Sequence, residues 1–297
     1  MSRTDPVVVR ARAEAFRALH RGHEVLVLAN VWDAGSAALF AQLPGIRALA
    51  TTSAGMSAAH GLADGERLGL GQVLSALRLI ERTVSLPFSV DLETGYGGSA
   101  TAVADAVTAV VECGAVGVNL EDGDPSRPDA LLPAEQLVER VAAARGAADL
   151  LGIPVVVNAR TDTYWRRTGP AERRFADTVR RLNSCHEAGA DCLFVPAFPE
   201  PGLSVDQQRR GIAELVAATD GAPINLLYRP DLPGLDDLRA LGVARVTVGS
   251  ALYRIAMGSA LDAMGALLSS GQPDALHAAD RLTYSDLAAA LDPAQQR

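Results

Sequence analysis

Eight short apolar runs are spaced along the chain, and each is followed by a stretch with apolar residues at helical spacing. The runs are VLVLAN (25–30), RALATTS (47–53), PFSVDLE (87–93), AVGVNLED (115–122), IPVVVNARTD (153–162), DCLFVPA (191–197), APINLLY (222–228) and ARVTVGS (244–250). They are rich in Val, Leu and Ile and do not alternate with polar residues. That is the pattern of parallel strands covered on both faces. The segments between them are amphipathic. In 102–113, for example, Val103, Val107, Val110 and Val111 share a face, and Gly114 follows as a stop signal. Parallel strands need long crossovers, and these helices supply them. Eight such units predict an α/β fold, a (β/α)8 TIM barrel, with residues 1–297 as one domain. Beyond the eighth run, 251–297 reads as C-terminal helices: a helix over 251–268, a GQPD turn (271–274) and a helical tail over 275–291. That tail has no strand of its own to cover, so it is expected on the barrel's flank or on a partner subunit.

Composition then restricts the chemistry. The 297 residues, 48% of them hydrophobic, suffice for a barrel core, and the net charge of −8 with no basic patch predicts no nucleic-acid partner. The N-terminal segment lacks the apolar core of a signal peptide, and no run approaches the roughly 20 apolar residues of a membrane span. The expected location is therefore cytoplasmic, with no membrane association. Cys113, Cys185 and Cys192 are odd in number and show no CxxC spacing, so they are expected to be buried apolar residues. There is no lysine, and all 27 basic residues are arginine. Schiff-base chemistry is thereby excluded, and a carbanion would need a metal or oriented dipoles to stabilise it.

Chemistry in such barrels sits at the C-terminal strand ends, and here these carry a consistent polar set. The first strand ends in Asn30 and Asp33. The second ends in Thr51, Thr52, Ser53 and Gly55, with Asp64 in the loop beyond. The third gives Asp91 and Glu93 in DLETGYGG, the fourth Asn119, Glu121 and Asp122. The fifth gives Asn158, Arg160 and Asp162, the seventh Asn225 and the eighth Ser250. Asp91, Glu93 and Glu121 would converge from adjacent strands, and crowded carboxylates repel one another unless a cation compensates. A hard ion such as Mg2+, with Mn2+ as the alternative, takes such ligands together with water. Arg160 offers a bidentate grip on a carboxylate, and metal plus arginine suits a small dianionic acid. Against this stand plainer roles: Asp33 and Asp64 as helix or turn caps, Asp162 as a structural partner of Arg160, and His60 and His186 as surface or capping residues.

Several of these segments resemble the isocitrate lyase and phosphoenolpyruvate mutase superfamily. DLETGYG resembles its DxDxGYG signature, NLED (119–122) its Glu–Asp strand end, and NARTD (158–162) its Ala–Arg–Thr motif. TTSAGMSAAHGLAD (51–64) resembles its oxyanion loop and NVWDAGSA (30–37) its opening segment. The likeness runs from about residue 25 to about 255. It implies Mg2+ held by Asp91, partly through water, with Glu93 and Glu121 on the metal's water shell and Asp64 nearby. It implies an oxyanion hole from the amides of Gly55 and Met56, Arg160 on the substrate carboxylate, and Thr52, Ser53 and Asn225 as further substrate contacts. Asp64, Glu121 and Arg160 are the catalytic candidates. The shared chemistry runs through a pyruvate-like enolate of a small 2-oxo or 2-hydroxy acid, breaking a C–C bond or, alternatively, a C–P bond. The resemblance also implies a homodimer or homotetramer that exchanges its last helix.

Three departures stand beside the likeness. The lyases carry a catalytic cysteine loop of KxCGH type after the fourth strand, whereas here GDPSRPDALLPAEQ (123–136) has no Cys, Lys or His. The inner carboxylate is Glu93 rather than Asp. The sixth strand ends in Val195–Pro196 where relatives present Glu or His. Asp64, Tyr96, His60 and Tyr164 remain as proton donors among which the sequence does not select, and a non-catalytic barrel that binds metal and carboxylate is the third reading.

Overall fold

The computed structural model describes residues 5–271 and 273–292. A closed parallel barrel is formed by β1 (Leu26–Val31), β2 (Leu49–Thr51), β3 (Phe88–Asp91), β4 (Gly117–Glu121), β5 (Val156–Arg160), β6 (Cys192–Val195), β7 (Ile224–Leu227) and β8 (Val243–Thr247), with β8 closing onto β1. Every one of the eight runs supplies one strand. Around it lie α1 (Pro6–Leu19), α2 (Ala34–Ala41), α3 (Ser53–Ala59), α4 (Leu70–Thr83), α5 (Ala100–Glu112), α6 (Ala134–Leu151), α7 (Ala171–Glu187), α8 (Val205–Ala218) and α9 (Leu235–Ala240). The last stretch is α10 (Ala251–Ser270), a 3-10 segment (Pro273–Arg281) and α11 (Tyr284–Ala290). The expected helical tail is therefore broken in two, and Gln272 of the expected turn lies outside the described residues, as do 1–4 and 293–297. Asp33 caps α2, accepting from the Ser36 amide at 2.7 Å, as expected. The three cysteines are free and buried.

Apolar faces of the helices and the outward faces of the strands make one continuous core, with Phe16, Leu28, Leu77, Val90, Val118 and Leu215 wholly buried. Buried polar side chains, among them Asn30, Asn119, Asn158, Asn225 and Arg245, belong to the site described below. Beneath it, His20 follows α1 in a buried position, its Nδ1 2.9 Å from the Phe16 carbonyl oxygen. Burial, and then the positive charge of Arg245, push its pKa from 6.5 down to about 3. Between those two values the unfolded chain binds a proton that the fold refuses, so stability rises with pH across that window and is lost on acidification. The His20 contribution lost between pH 7 and pH 5 is about 2 kcal/mol. Urea melts of the wild type and His20→Phe at the two pH values check it as the difference between their pH dependences, because buried carboxylates such as Glu93, raised to about 8, titrate over the same range with the opposite sign.

One helix corrects an expectation. By length and composition α10 is apolar enough to cross a membrane, although no run was expected to qualify. Its only charges are Arg254 and Asp262. None of its residues is buried, and Leu261 is 70% and Leu268 79% exposed.

Candidate active site

A cavity of about 320 Å3 opens at the C-terminal ends of the strands. Its wall includes Asn30, Thr51, Thr52, Ser53, Ala54, Asp64, Asp91, Asn119, Asn158, Arg160, Asn225 and Arg245, with Trp165, Tyr228, Arg229 and Arg254 also contributing. Eleven of the expected polar strand-end and loop residues thus share one chamber: Asn30, Thr51, Thr52, Ser53, Asp64, Asp91, Asn119, Asn158, Arg160, Asn225 and Ser250.

Asp91 is the best-positioned carboxylate. Its backbone amide donates to Thr51 Oγ1 at 2.9 Å, which fixes the strand end. Its Oδ1 accepts from Asn119 Nδ2 at 2.9 Å, and its Oδ2 from the Ser53 amide at 3.0 Å. Asn158 Nδ2 in turn donates to Asn119 Oδ1 at 2.7 Å. A carboxylate has about four acceptor positions, so each oxygen retains one for a ligand in the cavity. Asp64 lies on the same side, and burial, then the charge of Asp91, raise its pKa.

Glu93 and Glu121 are placed differently from expectation, since neither lines the cavity. Glu93 has a left-handed backbone (φ 50°) that turns its side chain toward the loop before α4. There it accepts from the Glu66 amide at 2.6 Å and faces Tyr96 Oη at 3.4 Å. Burial, and then Asp91, push it up to about 8. Glu121 is clamped by Arg160 Nη1 at 2.8 Å. Arg160 also donates through Nε and Nη2 to Asp162, at 2.6 and 3.1 Å. Burial works against the Arg160 charge, but Asp162 and Glu121 outweigh it and raise its pKa. Of its five N–H bonds two remain for a ligand, and its charge already faces two carboxylates.

Among the described residues no three His, Cys, Asp or Glu side chains converge to hold one ion directly. The donor set therefore does not fit a dry three-ligand site. It does fit a hard divalent cation that keeps most of its water, with Asp91 as the direct ligand and Asp64 beside it.

The oxyanion loop also needs a correction. Thr52 caps α3, and the Met56 amide is spent inside that helix on the Thr52 carbonyl at 2.9 Å. The Gly55 amide faces Thr52 Oγ1 at 3.4 Å, and both Gly55 and Met56 lie behind the cavity wall. Ala54 reaches the cavity instead, at the second helical position, where an amide has no partner within the helix. The glycines after Glu93 serve packing rather than substrate approach. A Cβ at Gly95 would stand 2.6 Å from Val103 Cγ2, and one at Gly97 2.4 Å from Ala102 Cβ.

The segment that replaces the catalytic loop is pinned down. Arg166 Nη1 lies 3.0–3.1 Å from the carbonyls of Asp124, Arg127, Pro128 and Ala130. Asp124 pairs with Arg127 at 2.8 Å, and none of this segment lines the cavity. His60, Tyr96 and Tyr164 do not line it either, which leaves Asp64 as the candidate proton carrier from that group. Trp165, Tyr228, Arg229, Arg254 and Arg245 line the cavity without having been singled out from the sequence; Arg245 lies within ARVTVGS. The signal was an arginine in an otherwise apolar strand.

The chain has relatives throughout this class. The family model for phosphoenolpyruvate phosphomutase matches residues 16–268. The 2-methylisocitrate lyase of Escherichia coli is 30% identical over 249 residues, 81% of this chain and 79% of that one. A Burkholderia cenocepacia protein described as a lyase/mutase superposes with a TM-score of 0.83 at 36% identity, covering 94% of this chain and 95% of that one. Phosphonopyruvate hydrolase, solved with oxalate and Mg2+, shares the fold with a TM-score of 0.77 at 24% identity, over 94% of each chain. Strand topology, motif order and these matches agree, and the chain belongs to the phosphoenolpyruvate mutase family within the isocitrate lyase superfamily.

Proposed function

We propose that this protein is a Mg2+-dependent lyase that cleaves a C–C bond in a small 2-oxo or 2-hydroxy carboxylic acid through a pyruvate-like enolate. The observation that carries the proposal is Asp91. It is held by Asn119 and the Ser53 amide and directed into a cavity whose other polar groups suit a carboxylate. When bound, Mg2+ would supply the positive charge that an enolate oxygen needs. Asp91 would hold it, with Asp64 next to it and Glu93 and Glu121 as outer support. The Ala54 amide offers a second dipole toward a developing negative oxygen. Arg160 keeps two N–H bonds for the substrate carboxylate while it neutralises Glu121. Asp64, raised by burial, would move the proton at its own carboxyl. Relatives point the same way: one is a 2-methylisocitrate lyase, and another binds oxalate with Mg2+.

Carbon-13 NMR tests this, with Mg2+ and a panel of labelled 2-oxo and 2-hydroxy acids. Formation of a cleaved 2-oxo acid, abolished by chelation, is the expected result. A phosphonate consumed in the phosphorus spectrum, with no carbon acid cleaved, would move the reading to C–P chemistry. No turnover of either class would favour the non-catalytic barrel.

We also propose that a second copy of the chain covers α10, in a homodimer or a higher even assembly. An apolar helix with Ile255, Leu261 and Leu268 each more than 60% exposed needs a cover in water. Sedimentation velocity should show a dimer or tetramer for the wild type and a smaller species for the Ile255→Glu, Leu261→Glu double variant. A monomeric wild type would overturn this.

A further inference from the structure

Two turns beside the cavity hold each other by their glutamates. The first lies in the loop between α3 and α4, which brings Asp64 into the cavity wall. The second follows β3 and begins at Glu93. Glu93 Oε2 accepts from the Glu66 amide at 2.6 Å. In return, Glu66 Oε1 accepts from the Thr94 amide at 2.9 Å, from Thr94 Oγ1 at 2.6 Å and from the Tyr96 amide at 3.2 Å. The second turn is itself anchored. Arg140 Nη1 of α6 donates to the Thr94 carbonyl at 2.9 Å, and the Glu121 amide at the end of β4 donates to the Glu93 carbonyl at 2.8 Å.

The backbone shows that this arrangement is imposed. Glu66, Glu93 and Tyr96 all adopt the left-handed region, at φ 58°, 50° and 56°. Such conformations persist only where the surroundings over-determine them. Glu66 does not line the cavity, so its carboxylate serves the neighbouring turn rather than a ligand. The span before it is different in character. Residues 61–65 are exposed, and on the α3 side the loop is held by the Leu62 amide on the Ser57 carbonyl at 2.9 Å. An exposed loop is mobile unless its ends are fixed, and a working side chain has to be held to within about 0.5 Å. The glutamate at 93 bears on the same point. Its extra methylene over aspartate adds about 1.5 Å of chain, and its carboxylate leaves the cavity for the Glu66 amide.

We propose that Glu66 is a positioning residue for the enolate site: by gripping the turn after β3 while Glu93 grips its amide, it fixes the loop that presents Asp64 beside Asp91. This rests on the enolate-site reading above. Glu66 touches neither metal nor substrate and acts through Asp64. The clamp works by hydrogen-bond geometry, since all three donors meet the single oxygen Oε1. Glutamine keeps that oxygen, and alanine does not.

Calorimetry of Mg2+ binding at saturating oxalate tests this, together with hydrogen exchange on the free protein. Asp64→Ala is expected to weaken Mg2+ binding by about 10–100-fold, as the loss of an outer partner of a metal does. Glu66→Ala should weaken it by about tenfold or more, and Glu66→Gln by less than about threefold. In the Asp64→Ala, Glu66→Ala double variant the loss should stay within about threefold of that in Asp64→Ala alone, because both changes act on one carboxylate. Without metal or oxalate, the amides at positions 62–66 of Glu66→Ala should exchange at least about tenfold faster than in the wild type, while those of the barrel strands keep their protection.

Unchanged Mg2+ affinity in Glu66→Ala overturns this proposal, and so does loop exchange that does not change. Losses that multiply in the double variant overturn it too, since Glu66 would then act independently of Asp64. A Glu66→Gln loss as large as that of Glu66→Ala would assign the effect to charge rather than to the clamp. If Glu66→Ala does not fold, Thr94→Val carries the test, because it removes only the hydroxyl donor to Glu66. It should weaken Mg2+ binding by about threefold or more, and an unchanged affinity overturns the proposal. Absence of Mg2+-dependent oxalate binding in the wild type removes the enolate-site reading, and this proposal with it.

Discussion

Asp91→Ala is expected to abolish turnover, a loss on the order of 10³-fold or more, and to remove Mg2+-dependent ligand binding. The reason lies in the donor set. No group of three acidic or metal-binding side chains converges among the described residues, and of the two cavity carboxylates Asp91 is the one held by Asn119 and the Ser53 amide, so Asp64 alone is not expected to make good its loss. Glu93 is held by the Glu66 amide and Glu121 by Arg160. Stability should change little by comparison. The variant leaves Asn119 Nδ2 and the Ser53 amide without their acceptor, a cost of about 1–3 kcal/mol, partly relieved because the cavity admits water. Steady-state assays and circular dichroism melts on the same preparations check both parts. A variant that keeps more than a tenth of wild-type turnover would assign the metal, or the chemistry, to another residue.

Asp122→Ala is the largest expected effect on stability. This residue ends the same NLED segment but faces away from the cavity and is fully buried. Its Oδ1 accepts from the Asp162 amide at 2.8 Å, and its Oδ2 from Thr161 Oγ1 at 2.7 Å and Arg181 Nη1 at 3.1 Å. One carboxylate thus ties the end of β4 to the end of β5 and to α7. Burial pushes its pKa up to about 6, partly offset by the Asp162 amide. Removing it leaves the Arg181 guanidinium and two further donors without this acceptor. Breaking a buried pair of this kind costs about 3–5 kcal/mol, equivalent to roughly a 10 °C fall in melting temperature. Because Asp162 also holds Arg160, turnover should fall as well, through misplacement of Arg160. A melting temperature within 2 °C of wild type would contradict this role (about 1 kcal/mol at this chain length).

The barrel was legible because its strands are buried on both faces. Unbroken Val, Leu and Ile runs then coincide with strands, and a Gly follows at the ends of α5, α6, α7, α9 and α10. Asp91, Arg160, Asn119 and Asn158 were legible because polar residues at the end of an apolar run have few other places to point. Side-chain direction beyond the strand was not legible. The left-handed backbone of Glu93 turns it to a neighbouring loop, and no spacing rule reports that. Gly55 and Met56 were expected to present amides, but the helix begins at Ser53 and consumes the Met56 amide, moving the free position to Ala54. Arg245 was hidden by its setting. In ARVTVGS it reads as one polar residue in a core strand, and only its missing partners show that it is unusual. The apolar character of α10 was visible in sequence as a helix over 251–268, but its exposure was not, because burial is a property of the fold.

The most direct test of the central claim is calorimetric titration of the wild-type protein with oxalate, a planar mimic of the pyruvate enolate, with and without MgCl2. The account predicts binding that appears only with Mg2+ and disappears in Asp91→Ala. Oxalate binding of equal strength in EDTA, or no binding at all with Mg2+ present, would contradict it.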